Sequence, residues 1–515
     1  MSNKIDTNVE EKNNRRDLLG ITVSKSTNFS AWYREIISKA KLVEYTDISG
    51  CYAYMPASYE VWELIQKYMD VKLKSMGVRN VYFPIFITET NLNVEKEHVE
   101  GFTPEVAWVT HAGDNKLDVK MAVRPTSECA IYPIMSKVVK EGQMLPIKWN
   151  QWCNVVRWEF RDPTPFIRSR EFLWQEGHTC HRTREAALNE LDDIIKIYQE
   201  TYHLMCIPTI PGTKTRFEKF AGAEETHTIE TYIHGANKAV QAATAHLLGT
   251  TFSKRESFNI CIQQPTSDID NPSFIDVPLI QNSWGFTTRS IGIMVMTHSD
   301  DIGLVIPPKI ASRQFVIIPI TSSKNSEEVN KFAQHVSQIL GSKYRVFVDD
   351  NPNFKPGRKY CKYELEGIPF RIEIGQKEAS QNRITLVSRI SNPKVKISID
   401  VDDNLFNVID KQIEIFHEVL YLAAITKLDQ CIYINSGNDA MSTEFIQTLL
   451  KDHIIYTKWC DTEICEEALH KIFHAKTLCI PTEEFKHKIH LNGQNDICGI
   501  CYKQATKDVL IGKSF

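Results

Sequence analysis

VVRWEFRDPTPFIRSREFLWQEGH, Val155 to His178, sets Arg157, Arg161, Arg168 and Arg170 and three glutamates among tryptophans and phenylalanines. Its two ends belong to runs that read as strands, LPIKWNQWCNVVRWEF before and EFLWQEGHTC after. The connecting RDPTPFIRSR carries two prolines, which bar a tight two-residue turn. The spacing therefore predicts a hairpin with a long arginine-rich loop. A guanidinium is permanently charged and presents a planar fork matched to phosphate or carboxylate. The same charges could instead pair with Glu159, Glu171 and Glu176 on a solvated loop, where ion pairs contribute little.

Working outward, SYEVWELIQKYMDVKLKSM (Ser58 to Met76) places Val61, Trp62, Ile65, Met69 and Leu73 on one helical face and stops at Gly77. VRNVYFPIF then reads as a strand carrying Pro84, which belongs at an edge, a strand end or an interface. Downstream, QNSWGFTTR runs into the apolar SIGIMVMTH, so Thr287, Thr288 and Arg289 fall at a strand-to-helix junction that offers backbone donors. After Ala311, strand and helix patterns alternate (QFVIIPI, NSEEVNKFAQHVSQIL, YRVFVDD, IPFRIEIG), as in a small α/β domain. Near the end, Cys460 and Cys465 form C-x4-C, and Cys498 and Cys501 form C-x2-C. Two thiolate pairs suit a closed tetrahedral zinc site; free thiols are the alternative, and Cys479 reads as a core residue.

The 515 residues, 42% hydrophobic and 24% charged, suit a soluble chain of several domains. A net charge of -4 gives no overall pull toward a polyanion, so RNA would have to be held by local basic patches. Residues 1–25 read as a disordered polar tail without the apolar stretch of a signal peptide. No apolar run approaches the roughly 20 residues of a membrane span. Thirteen cysteines without secretory features favour reduced thiols and a cytoplasmic location. Boundaries are expected at 26–310, 311–420 and 421–515.

RPTSE (Arg124 to Glu128) and QAATAH (Gln241 to His246) complete a set that resembles the class II aminoacyl-tRNA synthetases, in wording like the prolyl enzymes of eukaryotic and archaeal type. GCYAYMPASYEVWELI through VYFPIF is similar to motif 1, VVRWEF with EFLWQEGH to motif 2, and QNSWGFTTRSIG to motif 3. The resemblance implies an α/β and α+β multidomain chain: an antiparallel-sheet catalytic core, an α/β anticodon-binding domain and a small zinc-binding C-terminal α/β domain. It implies a homodimer through motif 1, and ATP, L-proline and tRNA(Pro) as substrates.

By the same resemblance, Arg157 and Arg289 are catalytic. Arg157, Glu159, Arg168, Phe172, Gln241, Thr244, Thr287 and Arg289 bind ATP, with Gln241 near a magnesium ion. Thr126, Glu128, Arg157, Trp174, Glu176, His178, Phe220, His246, Ser283 and Trp284 shape the proline pocket. Tyr360, Glu364, Arg371 and Lys377 face the anticodon, and Cys460, Cys465, Cys498 and Cys501 hold zinc. Taken singly, Trp174, Phe220 and Trp284 read as core aromatics. QAATAH carries alanines where the family has glycines, and Arg358 stands where tryptophan is usual. The interval from Glu176 to Gln281 is too short for the editing insertion of bacterial-type enzymes. Rival readings are another synthetase of the same subclass, threonyl-like, whose core zinc ligands are not found at the matching places, and a non-catalytic synthetase-like RNA-binding protein.

Overall fold

The computed structural model describes residues 20–98, 105–142, 144–158, 162–265, 273–322, 325–391, 394–435, 441–488 and 496–515. In chain order, the elements that build the site start with helix α1 (Pro56–Ser75), strand β1 (Arg79–Asn80), helix α2 (Glu128–Lys140), strands β2 (Ile147–Val156) and β3 (Glu171–His181) and helix α3 (Arg184–Leu204). Strands β4 (Ile210–Thr213), β5 (Glu225–Ile233), β6 (Lys238–Gly249) and β7 (Ile280–Thr287) follow, then helix α4 (Arg289–His298). Strands β5 and β7 are rich in β-branched and aromatic residues, and β3 and β6 mix a few of them with alanine, glycine and polar residues; the four stand together in the sheet. They lie side by side and antiparallel, because each buries one face against helices and lends the other to a cleft.

The hairpin forms as its alternation predicts. β2 and β3 pair from Ile147↔Cys180 to Val156↔Glu171, and β3 pairs β7 from His181↔Ile280 to Trp174↔Thr287. Behind the sheet, Trp62 and Ile65 of α1 and Tyr198 and Tyr202 of α3 meet Phe286 in one continuous core. Each fully buried side chain of this kind contributes about 1.5–3 kcal/mol. α1 ends as expected, with Gly77 at φ 80°, a conformation that glycine adopts without penalty.

Three expectations are corrected. VRNVYFPIF is not one strand: Arg79–Asn80 pairs parallel with β2, whereas Phe86–Thr88 joins a separate three-stranded sheet. Pro84 lacks the N–H that a continuous ladder needs. Residues 20–25 are not a free tail, since Thr22 donates to Glu35 and Lys25 Nζ donates to the Ser299 carbonyl at 2.8 Å. The rest of the expected tail, residues 1–19, lies outside the described residues. Finally, the boundary expected at 420 falls inside a 26-residue helix, Leu405–Gln430.

That helix closes an α/β unit built on strands β8 (Phe315–Pro319), β9 (Val346–Val348), β10 (Phe370–Ile374), β11 (Arg383–Ser388) and β12 (Lys396–Asp400), in sheet order β9-β8-β10-β11-β12. Its first half buries Ile409, Ile413 and Phe416 in the core of this unit, and Leu428 packs into a different cluster with Ile454 and Leu510. The last segment contributes strands β13 (Ile432–Ile434), β14 (Ile454–Trp459), β15 (Lys476–Pro481) and β16 (Lys507–Gly512). These are not a separate sheet: β15 pairs antiparallel with β4, so the catalytic and C-terminal strands form one sheet in the order β13-β14-β16-β15-β4-β5-β6-β7-β3-β2-β1.

Candidate active site

The antiparallel strands open onto a cleft of about 390 Å³. Fifteen of the residues named from sequence line it: Thr126, Glu128, Arg157, Phe172, Trp174, Glu176, His178, Phe220, Gln241, Thr244, His246, Ser283, Trp284, Thr287 and Arg289. Strand register explains the convergence. His246 stands opposite Ser283, which stands opposite His178, so three side chains from β6, β7 and β3 point the same way. Gly177 beside them leaves room for an indole, because a Cβ there would meet Trp284 at 2.2 Å.

One end of the cleft is cationic. Arg157 Nε donates to the Pro125 carbonyl at 3.0 Å, and its guanidinium lies 5.7 Å from the Phe172 ring and 5.5 Å from Trp174. Arg289 opens α4; its backbone N–H donates to Thr287 Oγ1 at 3.1 Å, and its guanidinium donates to the carbonyls of Ile167 and Gln241, both at 3.2 Å. Burial lowers the Arg289 pKa, and the charges of Arg157 and Arg168 lower it further. The positive charge that Arg157, Arg168 and Arg289 concentrate at this end makes a place for an anion. Gly292 lets α4 approach the arginine loop, since a Cβ there would sit 2.7 Å from Ile167 and 2.9 Å from Phe166. The loop itself is closed by reciprocal backbone bonds of 2.9 Å between Thr164 and Arg168. Arg168 is exposed at its rim and does not line the cleft. Glu159 lies outside the described residues, as does Arg161.

The other end is anionic and finely wired. Glu176, 2% exposed, accepts from Ser127 Oγ at 2.5 Å, Gln151 Nε2 at 2.8 Å and the Cys153 thiol at 3.3 Å, and its second oxygen lies 3.2 Å from His178 Nε2. Burial opposes the charged carboxylate, but His178, Ser127 and Gln151 overcome it and hold Glu176 below its ordinary pKa. Burial likewise opposes a charged His178, and the bond to Glu176 with the nearby Glu128 carboxylate raises it instead. Glu128 in turn accepts from Thr126 Oγ1. Burial pushes the Cys153 thiol well up, which suits a hydrogen-bond donor rather than a nucleophile. Across the cleft, enclosure pushes His246 down to about 3, with His227 and His178 adding to the effect, so it is neutral at physiological pH. Its Nδ1 lies 3.0 Å from Thr226 Oγ1, and Phe220 covers its ring at 4.7 Å.

Several residues in and behind the cleft wall were not singled out in advance. Ser127, inside RPTSE, and Gln151 do not line the cleft; only their bonds to Glu176 mark them. Glu218 and Lys476 do line the cleft, and Lys476 arrives from β15 in the C-terminal segment.

Away from the cleft, Arg371 on β10 lies 4.0 Å from the Tyr360 ring and pairs with Glu364 at 3.3 Å and Glu373 at 2.9 Å. Lys377 is exposed on a short helix beyond β10, outside this cluster. The four cysteines do converge: Cys460 Sγ is 3.4 Å from Cys465 Sγ and 3.7 Å from Cys501 Sγ, and all four sulfurs, Cys498 included, lie within 4.8 Å of one another. Thiolates around a tetrahedral ion with bonds of about 2.3 Å would stand roughly 3.8 Å apart, so the set fits one metal ion. Cys479 is fully buried elsewhere, and among the described residues no helix is long and apolar enough to cross a membrane.

Residues 108–298 match the family model for the tRNA synthetase class II core domain (G, H, P, S and T), 314–411 the anticodon binding domain, and 442–515 the prolyl-tRNA synthetase C-terminal model. The chain is 40% identical over 474 residues to the cytoplasmic proline–tRNA ligase of Arabidopsis thaliana, covering 90% of this chain and 86% of that protein. It is 38% identical over 500 residues to the proline–tRNA ligase of Natronomonas pharaonis, covering 96% and 99%. The crystal structure of Cryptosporidium parvum prolyl-tRNA synthetase complexed with L-proline and AMP superposes with a TM-score of 0.86 at 39% identity, covering 97% of this chain and 98% of that one. A cleft that is cationic at one end and carboxylate-lined at the other, on a sheet shared with these proteins, places the chain in the prolyl-tRNA synthetase family of class II aminoacyl-tRNA synthetases.

Proposed function

We infer that the chain is a proline–tRNA ligase: it joins L-proline to ATP as prolyl-adenylate, releasing pyrophosphate, and then transfers the prolyl group to the 3′ end of tRNA(Pro). The observation that carries this is the two-ended cleft. A carboxylate oxygen of proline attacks the α-phosphorus in line, and negative charge builds on the phosphoryl oxygens as pyrophosphate leaves. Arg157 and Arg289 stand where that charge needs neutralising, and Arg168 at the rim supports the outer phosphates. Phe172 offers a face for adenine, while Gln241, Thr244 and Thr287 supply polar contacts to the nucleotide; a magnesium ion near Gln241 would add charge neutralisation.

At the far end the secondary ammonium of proline meets Thr126 and Glu128. Trp174, Phe220, Trp284 and the neutral His246 give its ring flat walls, and Ser283 borders them. Glu176 and His178, held as an ion pair, keep this wall rigid. Glu159, two positions after Arg157 in the sequence, is the candidate for orienting Arg157 or the adenine amino group. Four thiolates around zinc would fix the C-terminal segment. Tyr360 with Arg371, Glu364 and Lys377 is the reading for the anticodon. Exposed Val71 and Tyr82, 68% and 73% accessible, on the motif 1 helix and the run after it, support a homodimer there. The resemblance to the Arabidopsis protein and the thiol chemistry favour the cytoplasm.

Proline-dependent exchange of pyrophosphate into ATP tests the reading. Exchange with proline that far exceeds exchange with threonine, cysteine or alanine is expected. No exchange by folded protein that binds ATP would overturn it.

A further inference from the structure

Residues 214–220 connect β4 to the wall of the cleft, and four of the seven, Lys214, Thr215, Arg216 and Glu218, are tied to the C-terminal segment. Lys214, in a buried pair with Glu230, also donates to the Leu478 carbonyl at 2.6 Å. Thr215 Oγ1 lies 2.9 Å from Thr477 Oγ1, and Arg216 donates at 2.8 Å to the carbonyl of Asp461, the residue after Cys460. Glu218 takes Lys476 on one oxygen and His470 on the other, both at 3.3 Å. Two residues on, the Phe220 N–H donates at 3.0 Å to Thr226 Oγ1, the same hydroxyl that meets His246.

We propose that residues 214–220 form a strap by which the C-terminal segment sets the amino-acid wall of the cleft, with Glu218 and Lys476 as its latch. The latch and Phe220 line one cavity, so a change at Lys476 is relayed through Glu218 and two peptide units to the ring that covers His246. The first ties are buried and belong to the shared sheet. The latch is different: Lys476 is 32% and Glu218 16% exposed, so breaking it loosens the end of the strap, with His470 left on the other Glu218 oxygen, without opening a core. Both are positioning residues. The inference rests on the proline reading of the cleft, and it makes the C-terminal segment a determinant of amino-acid affinity as well as a structural appendage.

The test uses the full chain with Lys476→Met, Glu218→Gln and, as the conservative variant, Lys476→Arg. Lys476→Met and Glu218→Gln should raise the proline KM about five-fold, the factor an ion pair of ordinary strength supplies, with the ATP KM unchanged. Lys476→Arg should restore it. Hydrogen exchange of the amides of 217–223 should quicken in Lys476→Met while the melting temperature and metal content stay at wild-type values. An unchanged proline KM, or equal losses toward proline and ATP, would overturn the strap. If the wild-type chain gives no proline-dependent exchange, the functional reading fails by itself. Protection of 217–223 then decides the strap alone, and unaltered protection in Lys476→Met rejects it.

Discussion

Glu176 and His178 face the same cleft from alternate positions of β3, and a 3.2 Å contact between them favours the charged form of each against burial. Breaking a buried pair by removing one partner costs about 3–5 kcal/mol, because the other charge is left unpaired. Glu176→Gln should therefore lower the melting temperature and weaken proline binding far more than ATP binding. The pH dependence has a definite sign. The share from Glu176, whose folded pKa is depressed, is complete above 4.5 and is lost as pH falls through the folded value. The share from His178, whose folded pKa is raised, is complete below 6.5 and is lost as pH rises through the folded value. Thermal unfolding from pH 2 to 8 should show both limbs in wild type and lose them in Glu176→Gln.

His246 gives the opposite limb. Its pKa near 3 means the unfolded chain takes up a proton at 6.5 that the folded chain refuses. Stability from this site is complete above pH 6.5 and is lost as pH falls toward 3, by about 2 kcal/mol at pH 5. A variant His246→Gln should be less sensitive to acid over that range. The imidazole signal in a proton NMR titration should stay neutral at pH 5.

Arg157 should matter to rate rather than to folding. Loss of one preorganised group facing a developing anion costs about 10²–10³ in rate. Arg157→Ala should cut pyrophosphate exchange by that factor with the melting temperature little changed. Arg289→Lys should also be poor: an ammonium cannot reproduce the fork that reaches the carbonyls of Ile167 and Gln241.

How far the sequence reaches is visible in particular residues. The motif 2 hairpin was legible because strand alternation and two prolines constrain it locally, whereas the fifteen named side chains that meet in one cleft were named by resemblance to the synthetases. Arg168 stands at the rim because the loop folds back on itself through Thr164, a closure that no local pattern signals. Lys476 could not be anticipated, since only the pairing of β15 with β4 carries it to the cleft. The break in VRNVYFPIF was foreshadowed by Pro84, yet the choice between two sheets is made by tertiary contacts.

Gly177 should tolerate no side chain. A Cβ at this position would overlap the Trp284 indole, which packs on the core face of the sheet behind Ser283 and His178, so Gly177→Ala must push the ring out of its place in the core. Overpacking of this kind costs about 1–3 kcal/mol. Proline KM should rise steeply while the ATP KM changes little, and tryptophan fluorescence should report the displaced ring. A neutral result would mean the wall is soft enough to move.

Metal content should follow the cysteine cluster. Purified protein should carry about one zinc per chain; Cys498→Ser should lose most of it and lower the melting temperature. Cys479→Ala, which removes a buried thiol outside the cluster, should keep the metal. Structural zinc contributes folding free energy directly, so chelation should loosen the C-terminal strands first, seen as faster hydrogen exchange in β14 and β16.

Tyr360 and Arg371 allow activation and charging to be separated. Their ring and guanidinium lie 4.0 Å apart on the α/β unit, away from the cleft, and an unstacked base of RNA could add to that stack. Base stacking on an aromatic ring is worth about 1–3 kcal/mol. Tyr360→Ala should leave proline-dependent pyrophosphate exchange at the wild-type level and raise the KM for tRNA in aminoacylation by roughly ten-fold or more. Arg371→Ala also removes one of the two cations on the buried Glu373, which keeps Lys396 at 2.6 Å, so it should weaken tRNA charging with a smaller loss of stability in the unit. Equal loss of exchange and charging in Tyr360→Ala would remove this residue from RNA recognition.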